Sequence, residues 1–152
     1  MRIILVCVGK VREPFADDIA HYERLLGRHA RLETIELGEA AADGDPRRAV
    51  AKEGDAISKR IPADAFVIVL DREGRLASSE SLAALLEERR QAGRDVCFVL
   101  GGPFGLDRSL LERGDERLSL GRVTLPHQLA RVVLLEQLFR AHKIVLGERY
   151  HY

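Results

Sequence analysis

The sequence predicts an α/β domain with a mostly parallel sheet flanked by helices, and three observations carry that prediction. Residues 2–8, 65–70 and 96–100 are short runs, apolar almost throughout, with the length of strands and the two-faced hydrophobicity of strands buried inside a parallel sheet. Between them lie stretches whose apolar residues recur every three or four positions, as in helices that bury one side. The two kinds of segment alternate in the order β-α-β-α-β-α-β-(α)-β-α, and such alternation selects a sheet joined by crossover helices.

Each element has its own warrant. Residues 2–8 form a buried strand that closes at Gly9-Lys10. Pro14 opens a helix to about residue 28, with Phe15, Ile19, Tyr22, Leu25 and Leu26 on one stripe. Residues 32–37 alternate apolar and polar side chains, the pattern of a strand with one wetter face near a sheet edge. Residues 38–45 are loop-like, and Asp45-Pro46 is an N-cap and N1 pair for a helix to about residue 60. The run 65–70 reads as a central strand ending at Asp71, and residues 72–75, Arg-Glu-Gly-Arg, read as a turn. Ser78 or Ser79 caps a third helix, which Gly93 ends. Residues 96–100 are a fourth strand. A short helix near residues 107–113 and a brief strand around 117–120 lead into the last helix, about 126–146. No linker, repeat or low-complexity tract interrupts residues 1–152, which read as one domain.

The last helix differs from the others. Leu129, Val132, Val133, Leu134, Leu135, Leu138 and Phe139 spread around its whole circumference. A helix that is apolar all round must be covered on both sides. One sheet covers one side, so the pattern predicts a homodimer built on this helix.

Composition narrows the function. The longest apolar run, residues 3–8, is far too short for a membrane span or a signal-peptide core. Cys7 and Cys97 stand alone inside apolar runs, with neither CxxC nor metal-ligand spacing. They read as buried thiols in a reducing cytoplasm, and no metal is expected. The 24 basic and 24 acidic residues cancel, so the chain as a whole does not advertise nucleic-acid binding. Beyond Leu118, however, Arg122, Arg131, Arg140, Lys143 and Arg149 face only Glu136 and Glu148. That local excess suits a phosphate backbone and equally suits ordinary surface arginines.

Chemistry is concentrated beyond residue 95. In open α/β sheets, ligands sit past the carboxyl ends of strands. Three strand ends have suitable residues: Leu70-Asp71, Gly101-Gly102-Pro103 and Leu120-Gly121. No GxGxxG follows the first strand, and GxxxxGK[ST], GxSxG and HExxH are all lacking, which leaves ordinary nucleotide, triad-hydrolase and zinc-hydrolase sites without support. The run Gly101-Gly102-Pro103-Phe104-Gly105-Leu106, then Leu118-Ser119-Leu120, Thr124-Leu125-Pro126-His127, Arg131, residues 136–141 (Glu-Gln-Leu-Phe-Arg-Ala) and Tyr150-His151, is similar to the RlmH family of SPOUT-class RNA methyltransferases. The opening strand and Leu70-Asp71 match as well, so the resemblance spans essentially the full length.

That resemblance implies methyl transfer from S-adenosylmethionine to N3 of a pseudouridine in 23S rRNA on the assembled ribosome, by a cytoplasmic homodimer. It also implies a trefoil knot from about Leu70 onward. Cofactor contacts then fall on Leu70, Gly101 and Gly102, and on the segment Leu120, Gly121, Arg122, Val123, Thr124 and Leu125. His151 is the expected base or hydrogen-bond acceptor, Tyr150 a stacking platform for the target base, and Arg131 a grip on phosphate or uracil oxygens. His127, one turn before Arg131, reads either as a partner in that grip or as a cap-like contact at the helix start. Glu136 and Arg140, at i,i+4, read first as a structural ion pair. The chain departs from the family pattern at Arg149, where a proline is usual, at Tyr152 after the Tyr-His pair, at Gly121, and at Phe139, often a tyrosine. A methyltransferase acting on tRNA and a non-enzymatic dimeric binding module are the competing readings.

Overall fold

The computed structural model describes residues 1–150. The element order is β1 (Arg2–Val8), α1 (Ala16–Leu26), β2 (Arg31–Leu37), α2 (Pro46–Ser58), β3 (Phe66–Leu76), α3 (Ser79–Gln91), β4 (Val96–Leu100), α4 (Arg108–Arg113), β5 (Glu116–Ser119) and α5 (His127–Val145). All strand pairs are parallel, in the order β2-β1-β4-β3-β5, so the alternating strand β2 lies at one edge. The predicted α/β class and every predicted element are present.

The strands divide two cores between them, because successive side chains point to opposite faces. Ile3, Leu5 and Cys7 of β1, Ile68 of β3 and Phe98 of β4 face α1, α3 and α5. Ile4, Val6 and Val8, Val67 and Val69, and Cys97 and Val99 face α2 and α4. Burial on both faces is what the unbroken apolar runs encode. Both cysteines are free and buried, and burial pushes each thiol up to about 12, as expected of inert thiols.

Local chemistry sets the helix starts. Asp45 accepts a hydrogen bond from the Arg47 amide (3.0 Å) with Pro46 at the first helical position. Ser78 accepts from the Ser81 amide (3.1 Å), and Asp107 from the Ser109 amide (3.3 Å). Each side-chain oxygen satisfies an otherwise unpaired amide in the first turn.

Two expectations are corrected. The segment read as a turn at residues 72–75 lies inside β3. The β3–β5 ladder breaks between Leu70 and Arg75, both of which pair with Leu118, and the chain then continues to Leu76. Cross-strand ion pairs, Asp71 with Arg117 and Arg75 with Glu116, hold this polar extension. The second correction concerns α5. Its circumference is largely covered within the chain, by the sheet below and by α1 and α3 beside it. Leu134, Leu135 and Leu138 are wholly buried there. Leu129 and Val133 stay half-buried and Val123 just before the helix is 71% exposed, while at the opposite end Val145 and Leu146 are exposed, so uncovered apolar surface remains at both ends of α5.

Candidate active site

The break in β3 after Leu70 and the carboxyl ends of β4 and β5 open into one cavity of about 920 Å³, closed on its remaining side by the start of α5. Leu70 ends the inner part of β3, Gly101 and Gly102 follow β4, and Leu120, Gly121, Val123, Thr124 and Leu125 follow β5. All eight line the cavity. Arg122, the ninth residue expected at the cofactor, is exposed and does not line it. The volume suits a nucleoside-sized ligand with a tail. Leucine and valine side chains offer apolar walls, while the two glycine-containing loops present main-chain groups.

The loop after β4 is a tight turn, in which the Gly105 amide donates to the Gly102 carbonyl (3.1 Å). A side chain at Gly101 would meet the Gly105 carbonyl oxygen at 2.7 Å. One at Gly102 would meet Val8 Cγ1 at 2.9 Å and Glu53 Oε2 at 3.3 Å. The glycines are thus required by the packing of the loop on its own protein, which fixes the main chain where a ligand can read it. The wall after β5 is held by Ser119, whose hydroxyl donates to the Gly121 carbonyl (2.7 Å).

A polar cluster lies beside the cavity. His127, the first residue of α5, lines it, and its Nε2 is 3.4 Å from Glu39 Oε1, which in turn faces Arg12. Gln128 donates to the Lys10 carbonyl (2.9 Å) and ties α5 to the loop after β1. Glu53 on α2 accepts from the Ala40 amide through Oε1 (2.9 Å), and its buried Oε2 has no hydrogen-bond partner among the described residues.

The structure separates the other candidates from this centre. Arg131 does not line the cavity. It is 3% exposed, with one guanidinium nitrogen 2.6 Å from Glu36 and another 3.1 Å from Glu23, so it ties α5 to β2 and α1 instead of gripping phosphate. Burial opposes its charge, yet the nearby Cys7 and the two glutamates outweigh this and raise its affinity for the proton. Tyr150 lies against the C-terminal half of α5. Its ring is 4.9 Å from Phe139 in an edge-on contact, Arg140 stacks 4.9 Å over it, and its hydroxyl donates to Glu136 (3.3 Å). Burial, then the charge of Glu136, pushes this phenol up to about 12. Phe139 is about 18 Å along the helix from His127 at the usual helical rise, so Tyr150 is remote from the cavity of its own chain. Glu136 and Arg140 form the expected ion pair (3.0 Å). His151 lies outside the described residues.

Sequence reasoning passed over Glu39 and Glu53, which sit in a loop and on an amphipathic helix where acidic residues normally face water. It also passed over Phe104, 51% exposed at the rim, although an aromatic inside a glycine-rich turn is a usable signal.

Comparison with known proteins agrees with this geometry. The chain is 46% identical over 158 aligned positions to the ribosomal RNA large subunit methyltransferase H of Bifidobacterium adolescentis, with 99% of each chain covered. It is 49% identical over 155 positions to the protein of that name from Rubrobacter xylanophilus, covering 99% of this chain and 98% of the other. Among solved structures, a probable methylase family protein from Haemophilus influenzae superposes with a TM-score of 0.59 at 12% identity, over 99% of this chain and 70% of that one. A probable methyltransferase from Bordetella pertussis gives 0.57 at 14% identity, over 93% and 94%. At such identities the likeness is one of fold. The family model described as "Predicted SPOUT methyltransferase" matches residues 1–151, and with full-length relatives above 40% identity the chain belongs to that SPOUT methyltransferase family.

Proposed function

We propose that this chain methylates N3 of a pseudouridine in 23S rRNA of the large ribosomal subunit, with S-adenosylmethionine as donor. The single observation that carries the reading is the convergence of three chain segments, around 70–72, 100–106 and 118–125, on one cavity. Full-length relatives named as large-subunit rRNA methyltransferases supply the substrate class.

When bound, S-adenosylmethionine supplies an electrophilic methyl group on a cationic sulfur. The protein's task is to hold donor and acceptor in line and to handle one proton, since the acceptor nitrogen is an imide N–H that must lose its hydrogen as the N–C bond forms. Leu70, Leu120, Val123 and Leu125 exclude water from the donor, and the main chain of Gly101 and Gly102 orients it. His151 takes the imide proton, and His127, braced by Glu39, meets the uracil oxygens at the cavity wall.

Tyr150 and His151 act in this reading on the cavity of a second copy. The tail starts at the far end of α5 from its own cavity, and antiparallel pairing of two α5 helices along the Leu129–Val133 strip exchanges those ends. The reading also includes the trefoil knot in the segment from Leu70 and a cytoplasmic setting. Among the described residues no helix is long and apolar enough to cross a membrane.

Calorimetric titration with S-adenosylmethionine, followed by methyl-transfer assays on ribosomes, protein-free rRNA and tRNA, tests the proposal. Binding, with transfer to ribosomes only, is expected. His151→Ala is expected to lose turnover with donor affinity kept. Transfer to tRNA, or no donor binding at millimolar concentration, refutes the assignment.

A further inference from the structure

Glu53 is 5% exposed, and among the described residues its Oε2 has neither a hydrogen-bond donor nor a paired cation. Arg131, the other deeply buried charge, is held by two carboxylates. An unpaired buried carboxylate burdens the free protein, because lost hydration is not returned by any counter-charge. Its position gives the burden a use. Glu53 lies directly behind Gly102, where a side-chain carbon would come within 3.3 and 3.5 Å of its two oxygens. The Gly102 main chain lines the cavity. Only the thickness of one backbone segment therefore separates a lone negative charge from the ligand.

We propose that Glu53 is the counter-charge by which the cavity prefers the cationic methyl donor to its neutral, demethylated product. This specificity role rests on reading the cavity as the S-adenosylmethionine site. Donor and product share the adenosine, the α-ammonium and the α-carboxylate, and they differ by one methyl group and one positive charge at sulfur. A carboxylate fixed behind the loop stabilises that extra charge, and transfer of the methyl group abolishes the attraction, so spent product leaves while fresh donor binds. The intervening backbone limits the effect. A carboxylate in direct contact with the sulfonium would stabilise the reactant more than the transition state, in which the positive charge is already dispersing. Set back behind Gly102, it biases occupancy with little cost to the chemical step.

The test compares the unaltered chain with Glu53→Gln, which keeps the side-chain volume and an oxygen for the Ala40 amide. Titration calorimetry with S-adenosylmethionine and with S-adenosylhomocysteine reads the preference, and thermal unfolding without ligand reads the burden. Glu53→Gln is expected to weaken donor binding about thirtyfold, the effect of a unit charge about 8 Å away at an effective dielectric near 20. Product binding should be unchanged, and the ligand-free variant should melt at or above the temperature of the unaltered chain. Glu53→Asp, which keeps the charge, should retain the preference. Equal weakening of both ligands, no change in either, or a lower melting temperature of the ligand-free Glu53→Gln protein each overturns the proposal. Failure of the unaltered chain to bind either ligand refutes the cavity reading itself, a result separate from any of these.

Discussion

A guanidinium withdrawn from water must be compensated by charge and hydrogen bonds, and at Arg131 both come from residues roughly a hundred positions earlier. Glu23 on α1 and Glu36 on β2 each take one end of it, so this single side chain fastens the start of α5 to the far edge of the sheet. Removing one partner of such a network strands the others. Arg131→Met is therefore expected to lower unfolding stability by about 3 kcal/mol, measured by urea denaturation. Methyl transfer at temperatures where the variant stays folded should be largely retained. Loss of turnover at unchanged stability would restore the phosphate-gripping role expected from sequence. The same residue shows why charged site residues are hard to read from a chain. Arginine in an RNA-binding family suggests phosphate, and only the fold reveals that two glutamates distant in sequence already occupy it. Glu53 escaped notice for the mirror reason, since nothing nearby in sequence distinguishes a buried helix glutamate from a solvated one.

At the scale of elements, the strands and most helix starts were legible because their signals are local, the exception being α1, which begins at Ala16 and not at Pro14. Apolar runs such as Val96–Leu100 report burial on both faces, and Asp45, Ser78 and Asp107 each cap the helix that follows them. Eight of the nine residues assigned to the cofactor by family likeness line one cavity, because the motifs coincide with strand ends and the sheet gathers strand ends on one edge. The extension of β3 was not legible. Asp71-Arg72-Glu73-Gly74-Arg75 has the composition of a turn, and what recruits it to the sheet is pairing with charges on β5 some forty residues later. Gly74 lies at the tightest point of that pairing, where a side chain would approach the Arg117 carbonyl carbon to 2.7 Å. Gly74→Ala is expected to cost about 1–3 kcal/mol, as overpacking does, and to weaken donor binding by displacing the wall after β5. Denaturation and calorimetry on the same preparation check both effects. Normal affinity in a destabilised variant would separate the ladder from the cavity.

For the whole molecule, the open question of covering falls on a smaller surface than the sequence implied. α1, α3 and the sheet bury most of α5; one apolar strip remains from Val123 through Leu129 and Val133, beside the cavity mouth, and a second at Val145 and Leu146. Sedimentation at micromolar concentration is expected to give a two-chain species, and the double substitution Leu129→Asp with Val133→Asp a folded single chain with little methyl transfer. A one-chain species in the unaltered protein would remove the second copy from the proposed site. A full-activity double variant would show that the tail serves its own chain.

The four residues of β5 have a single neighbour, β3, whereas the three strands inside the sheet have two each. The side of the cavity that β5 carries therefore hangs on one ladder alone, and the Asp71–Arg117 and Arg75–Glu116 pairs brace that margin against fraying.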